Sequence, residues 1–365
     1  MDTLFLQILQ AAASAGASDI HLKTGAPILL RVARQLLPIE APLPDEAWMR
    51  GVLAHITPPH LATQGAHWHE LDFAFELPPI GRFRANAFQQ RGRSALVLRI
   101  VRSQIRSLEE LRLPPQLAHL CEAPRGILLV CGSVGSGKST TLAAMIEHLN
   151  QRSRKHIITI EDPIEFLFED RHSTIEQREV GIDTESFASG LRHILRQDPD
   201  VLVIGEIRDA TSAAAAMEAA NTGHLVLSTL HSSDTTRCVQ RVLDLFPAAE
   251  RLNARKQLSQ TLHAIACQRL VPSAHSGVLP VVELLVNSPG IAKLIANDQA
   301  EKIPGELDLG AAEGMQSFDS ALQSMVRNNL LTQDEALAHA SSPESLRMLF
   351  RGVVLNDSKR ILSSR

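Results

Sequence analysis

Apolar residues recur with two different periods along this chain, and the change of period divides it. Near the start, Leu4, Phe5, Ile8, Leu9 and Ala12 fall at helical spacing, which predicts a short amphipathic helix. Ile28 to Val32 reads as a strand. Leu71, Phe73 and Phe75 alternate with Asp72, Ala74 and Glu76, the period-two pattern of a half-buried strand. Pro78-Pro79-Ile80-Gly81 predicts a turn. Beyond it Phe83, Ala85 and Ala87 alternate with Arg82, Arg84 and Asn86, and Ser94 to Val101 supplies a third strand. Residues 1–101 therefore read as a small α+β domain, built on an antiparallel ladder with arginines on one face.

Residues 102–115 are polar and end in Pro114-Pro115, as a linker would. From Arg125 the pattern changes. Short apolar runs at Ile127 to Cys131, Ile157 to Ile160, Val201 to Ile204 and Leu225 to Ser228 are separated by helix-length segments. Strands alternating with helices predict an α/β domain over residues 116–288, with a mostly parallel sheet covered on both faces. The alanine-rich stretch Thr211 to Ala220 predicts a helix suited to close packing. From about Pro289 the spacing is helical throughout, with Phe318, Leu322, Met325 and Val326 on one face, so residues 289–365 read as a helical C-terminal region.

Composition narrows the function classes. The formal charge is −4, aromatic residues are 4% of the chain, and there is no Lys/Arg run, all of which weigh against a nucleic-acid partner. Four cysteines without a C-x-x-C pair argue against a Cys-rich zinc site or a disulfide framework, and predict buried, reduced thiols of a cytoplasmic protein. The apolar start lacks a basic flank, so it does not read as a signal peptide. No uncharged apolar run reaches membrane length, so peripheral association with a membrane is expected only through a partner.

The most specific signal is Gly132-Ser133-Val134-Gly135-Ser136-Gly137-Lys138-Ser139, a full match to G-x-x-x-x-G-K-[ST] between a predicted buried strand and a predicted helix. Glycines let backbone N–H groups turn inward around phosphate oxygens, and the helix N-terminus adds its positive dipole end. Gly132, Ser133, Gly135, Ser136, Gly137, Lys138, Ser139 and the following Thr140 are thus expected to bind the phosphates of ATP. Lys138 is expected to reach the β- and γ-phosphates, and Ser139 to ligate Mg²⁺. The alternative, a glycine-rich turn by chance, fits the complete motif poorly.

Hydrolysis also needs carboxylates near the γ-phosphate. Glu161-Asp162-Pro163-Ile164-Glu165 and Gly205-Glu206-Ile207-Arg208-Asp209 each follow an apolar run, at the carboxyl ends of strands where an α/β sheet places its ligands. Glu206 is the candidate base toward water, with Arg208 orienting it or bridging to a neighbour, and Glu161 is a second carboxylate for catalysis and for Mg²⁺, through water. For each segment alone, a solvated strand end is an equal reading. His224 and His231 flank the next strand; both are candidates for the nucleotide, His231 as a γ-phosphate sensor, against the common reading of packing or capping histidines.

Together these residues resemble one family, the secretion and pilus ATPases. Thr159 to Glu165 resembles its acidic box, Asp198-Pro199-Asp200 leading into Gly205 to Asp209 its second acidic strand, and Thr222 to His231 its histidine box. Ala17-Ser18-Asp19-Ile20-His21-Leu22 and Gly81-Arg82-Phe83-Arg84-Ala85-Asn86 are similar to its N-terminal domain. Without the extra N-terminal domain and tetracysteine site of the assembly and type II secretion members, the chain looks most like the retraction branch. Phe246-Pro247 and Gly314-Met315-Gln316 also suit that branch. In Gly290-Ile291-Ala292-Lys293-Leu294-Ile295, Ala292 stands where the branch carries an arginine. The resemblance implies a homohexameric ATPase with a PAS-like N-terminal and a RecA-like second domain, nucleotide between them, and Arg82, Arg84 and Arg99 directed at the phosphates. An exposed strand face is the other reading of those arginines. It further implies pilus retraction through an inner-membrane platform protein, alone or beside a paralogous motor. An accessory or assembly role and, less favoured, a nucleic-acid motor are the alternatives.

Overall fold

The computed structural model describes residues 2–33, 35–62, 68–101 and 104–351. In it the chain divides into two units, Met1–Gln104 with Glu165–Leu167, and Ile105–Ile164 with Phe168–Arg365.

The first unit is an antiparallel sheet of β1 (Asp19–Lys23), β2 (Leu29–Val32), β3 (Gln35–Pro38), β4 (Glu70–Leu77), β5 (Gly81–Gln90) and β6 (Arg93–Ile100), ordered β3-β2-β1-β6-β5-β4. Alternation in β5 sends Phe83, Ala85 and Ala87 inward and leaves Arg84 outside. Against that face pack the helices Thr3–Ser14 and Glu46–Ile56, which contribute Phe5, Ile8, Leu9, Met49 and Val52 to one core with Ile20, Leu96 and Leu98. Both helices start where an aspartate meets an unpaired N–H: Asp2 accepts from Phe5 N and Asp45 from Trp48 N.

The second unit carries β7 (Gly126–Cys131), β8 (His156–Glu161), β9 (Thr174–Glu179), β10 (Val201–Ile204), β11 (Leu225–Leu230), β12 (Leu262–Pro272) and β13 (Val278–Val286), in the order β13-β12-β7-β11-β10-β8-β9. All neighbours are parallel except β13, which returns antiparallel to β12. β7, β10 and β11 are buried at every residue, as strands covered on both faces must be. The alanine-rich helix spans Ala210–Asn221 and packs on β7 and β11 and on the helices Phe187–Ile194 and Arg251–Thr261. Its small side chains permit that many close neighbours.

Of the linker, Arg102 and Ser103 lie outside the described residues, but Leu108 and Leu113 are buried with Leu117, Cys121 and Leu128. Two apolar anchors in a polar stretch seat that segment on the second unit. Of the helical C-terminal region, helices Pro289–Ala296, Ile303–Leu309, Phe318–Arg327, Gln333–His339 and Pro343–Phe350 are observed, and residues 352–365 lie outside the described ones. All four cysteines are buried free thiols, and burial pushes that of Cys121 up to about 12. Among the described residues no helix is long and apolar enough to cross a membrane.

Candidate active site

The loop between β7 and the helix Lys138–Arg152 has glycines at φ 152° (Gly132), 80° (Gly135) and 88° (Gly137), conformations that L side chains rarely adopt. At Gly132 an added Cβ would collide with Ser136 Oγ and stand 2.5 Å from Gln268 O. Lys138, nearly buried at the first helical position, donates from Nζ to Gly132 O and Ser133 O, both at 3.0 Å, and lies 3.3 Å from His231 Nδ1. Ser136 is 4% exposed, and its Oγ has no hydrogen-bond partner among the described residues. A buried cation, an orphaned hydroxyl and the N–H groups that begin a 15-residue helix, whose first turn holds Ser139 and Thr140, form a donor set suited to phosphate oxygens.

The parallel register brings the other candidates to the same edge. Cys131 pairs with Leu230, Ser228 with Ile204, and Ile204 with Ile160, so the residues after these strands emerge together. His231 directly follows β11, and Glu206 stands two residues beyond β10. Glu206 Oε1 is 3.3 Å from His231 Nε2, and its Oε2 accepts from Arg208 Nε at 2.8 Å. Arg208 continues through Nη1 to Asp162 Oδ2 at 3.3 Å. The hydrogen bond it donates to Glu206 is the main cause that holds the guanidinium pKa above its ordinary value. A continuous chain thus runs Lys138, His231, Glu206, Arg208, Asp162. Backbone bonds fix its frame: Ile207 N donates to Thr229 O at 3.1 Å and Thr229 Oγ1 to Gly205 O at 2.6 Å. Glu161, at the end of β8, accepts through Oε1 from Thr159 Oγ1 at 2.7 Å and Gln177 Nε2 at 3.1 Å.

His224 does not join this cluster. It sits at the opposite end of β11, where its carbonyl accepts from Gly126 N and its Nδ1 lies 3.0 Å from Ala219 O. Six residues of strand put about 20 Å between the two ends, so within the chain His224 caps the Ala210–Asn221 helix, and its placement with the phosphate loop is corrected. Arg82 and Arg84 lie on β5 and Arg99 on β6, with Arg84 and Arg99 directly paired across the strands. Arg99 Nε is bound to Asp19 Oδ1 at 2.9 Å. Sequence reasoning missed Thr159 and Gln177, which hold Glu161, and Gln268 beside the loop. Thr159 stands two residues before Glu161 on β8, whereas Gln177 and Gln268 are brought in only by the pairing of β9 with β8 and of β12 with β7.

Residues 1–302 match the family model described as Type II/IV secretion system protein. The chain is 37% identical over 339 residues to the type IV pilus retraction ATPase PilT of Pseudomonas aeruginosa, covering 93% of this chain and 98% of that one. It is 38% identical over 349 residues to the type IV pilus ATPase PilU of the same organism, covering 95% and 91%. A crystal structure of the pilus retraction motor PilT with bound ADP superposes with a TM-score of 0.87 at 36% identity, over 95% of this chain and 99% of that one. The chain belongs to the type II/IV secretion system protein family, as a PilT-like ATPase.

Proposed function

We propose that this chain is the motor of type IV pilus retraction: a homohexamer whose ATP hydrolysis pulls on a membrane-embedded platform protein. The observation that carries hydrolysis, rather than nucleotide binding alone, is Glu206 held between His231 and Arg208 at the phosphate loop. In this reading Lys138 exchanges the loop carbonyls for phosphate oxygens. Glu206 takes a proton from the attacking water, and the flanking cation of Arg208 fixes its rotamer. His231 links the loop lysine to that carboxylate, so a change at one is felt at the other. Mg²⁺, an oxygen-seeking ion, would be held by the Ser139 hydroxyl with Glu161 behind a water, and would neutralise developing phosphate charge. Near full-length likeness to PilT supports the retraction role, and the related PilT crystal structure holds bound ADP.

A second reading is an accessory motor beside a paralogue. The chain is as extensively similar to a second type IV pilus ATPase, PilU, so likeness alone does not single out PilT. Steady-state ATPase activity, measured with the mass in solution, separates the two. A hexamer with Mg²⁺-dependent turnover supports the motor, while a protein that binds ADP without turnover supports the accessory role. Deletion in the host decides the rest: loss of twitching upholds retraction, and unaltered twitching overturns it.

A further inference from the structure

Gln268 lies on β12, outside every motif that points to nucleotide. The residue is 4% exposed, and both ends of its side-chain amide are engaged. Nε2 donates to Ser136 O at 2.6 Å, and Oε1 accepts from Thr141 Oγ1 at 2.7 Å. The orientation is forced, because a carbonyl only accepts and the amide end facing Ser136 O must be the NH₂. The fit is tight on both sides of the loop. A Cβ at Gly132 would lie 2.5 Å from Gln268 O, and one at Gly137 would lie 2.8 Å from Gln268 Nε2. β12 thus adds to what the positive φ values, and Ser136 Oγ at Gly132, already require of these two glycines.

We propose that Gln268 is a positioning residue for the phosphate loop, its amide setting the Ser136–Gly137 peptide in the orientation that receives phosphate. In a trans peptide the C=O and N–H point opposite ways. With Ser136 O tied to β12, the N–H of Gly137 is turned to the other side of the loop. Thr141 closes the clamp from the helix: its N–H donates to Gly137 O at 3.0 Å while its hydroxyl holds Gln268. One carboxamide thus ties the loop, the first turn of the helix and β12. The inference rests on the reading that this loop holds nucleotide phosphates.

The test uses the full-length protein, N-methylanthraniloyl-ADP as the probe, and melting temperature as a control. Gln268→Glu keeps shape but at pH 8 sets a carboxylate against the Ser136 carbonyl, which should weaken binding about tenfold or more relative to wild type. At pH 6 the buried acid takes up a proton, donates to Ser136 O, and the ratio to wild type should recover to about threefold or less. Lys138, His231 and Glu283 are the same in both proteins, so taking the ratio at each pH isolates the change at position 268. Gln268→Leu should be weak at both pH values. If these variants do not fold, Thr141→Val removes only the hydroxyl and should still lose about threefold or more, much of it recovered in Thr141→Ser. Binding like wild type in Gln268→Leu, or a pH-independent loss in Gln268→Glu, overturns the positioning role and leaves Gln268 a packing residue. Lys138→Ala, run alongside, separates the two readings. Loss of binding there upholds the nucleotide site even if Gln268 proves inert, and a wild type that does not bind the probe overturns both.

Discussion

His231 offers its two ring nitrogens to two different partners, Nδ1 to Lys138 Nζ and Nε2 to Glu206 Oε1, each at 3.3 Å. An ammonium only donates, so Nδ1 accepts and the ring proton lies on Nε2, directed at the carboxylate. The imidazole is therefore a polarised bridge from the loop lysine to the candidate base. Removing it breaks communication while leaving the phosphate cradle intact. In His231→Ala we expect turnover to fall by about tenfold to a hundredfold with ADP affinity within about threefold of wild type, measured as kcat beside direct binding. Equal losses in both would make His231 a binding residue.

Glu206→Gln tests the base itself. The amide keeps the shape and its oxygen can still accept from Arg208, but its NH₂ end faces the donor on His231 and it cannot take a proton from water. Binding should persist, and turnover should drop by about a hundredfold or more. Hydrolysis at the wild-type rate would move the base to Glu161, whose carboxylate is held by Thr159 and Gln177.

How much of this was legible follows from what each residue depends on. The phosphate loop, Glu206 and His231 end apolar runs that stay buried along their whole length, so the sequence marks both the strand and the position just past it. Gln268 depends instead on β12 lying beside β7, a pairing across 132 residues between Gln268 and Ser136. β3 was unreadable because Leu36 and Leu37 are 44% and 45% exposed, which leaves no inside and outside to alternate. The helix Glu46–Ile56 is one whose apolar spacing went unused. His224 and His231 stand only seven positions apart, yet a strand between them carries one to each edge of the sheet.

Glu46 gives the first unit a pH-dependent tie. Burial works to raise the pKa of its carboxyl, but hydrogen bonds from Ser94 N at 3.1 Å, Ser94 Oγ at 2.8 Å and Thr24 Oγ1 at 3.0 Å outweigh it and lower the value to about 2. A carboxylate depressed on folding stabilises fully above its ordinary value of 4.5, and that contribution is lost as the pH falls from there toward 2. Glu46→Gln should therefore lower the melting temperature at pH 7 by about 2–4 °C, and the gap to wild type should narrow as the pH is brought to 3. A gap that stays constant over that range would assign the loss to packing.

Arg84 and Arg99 are neighbours across β5 and β6, yet they are differently committed. Asp19 is 5% exposed. Burial works to raise its pKa, and the hydrogen bonds of Ser18 and Arg99 outweigh that and keep it lowered. Arg31, at 3.8 Å, is a looser partner. Removing Arg99 leaves a buried carboxylate short of a partner, while Arg84 is exposed and forms no ion pair among the described residues. We therefore expect Arg99→Ala to cost about 1 kcal/mol of stability and Arg84→Ala almost none. If the arginines also serve a neighbouring subunit's nucleotide, Arg84→Ala lowers kcat at unchanged melting temperature. Arg99→Lys then retains stability through Asp19 but loses turnover, because an ammonium lacks the planar fork that spans two phosphate oxygens. Unchanged kcat in both Arg84→Ala and Arg99→Lys would make this an exposed strand face whose only tie is the one to Asp19.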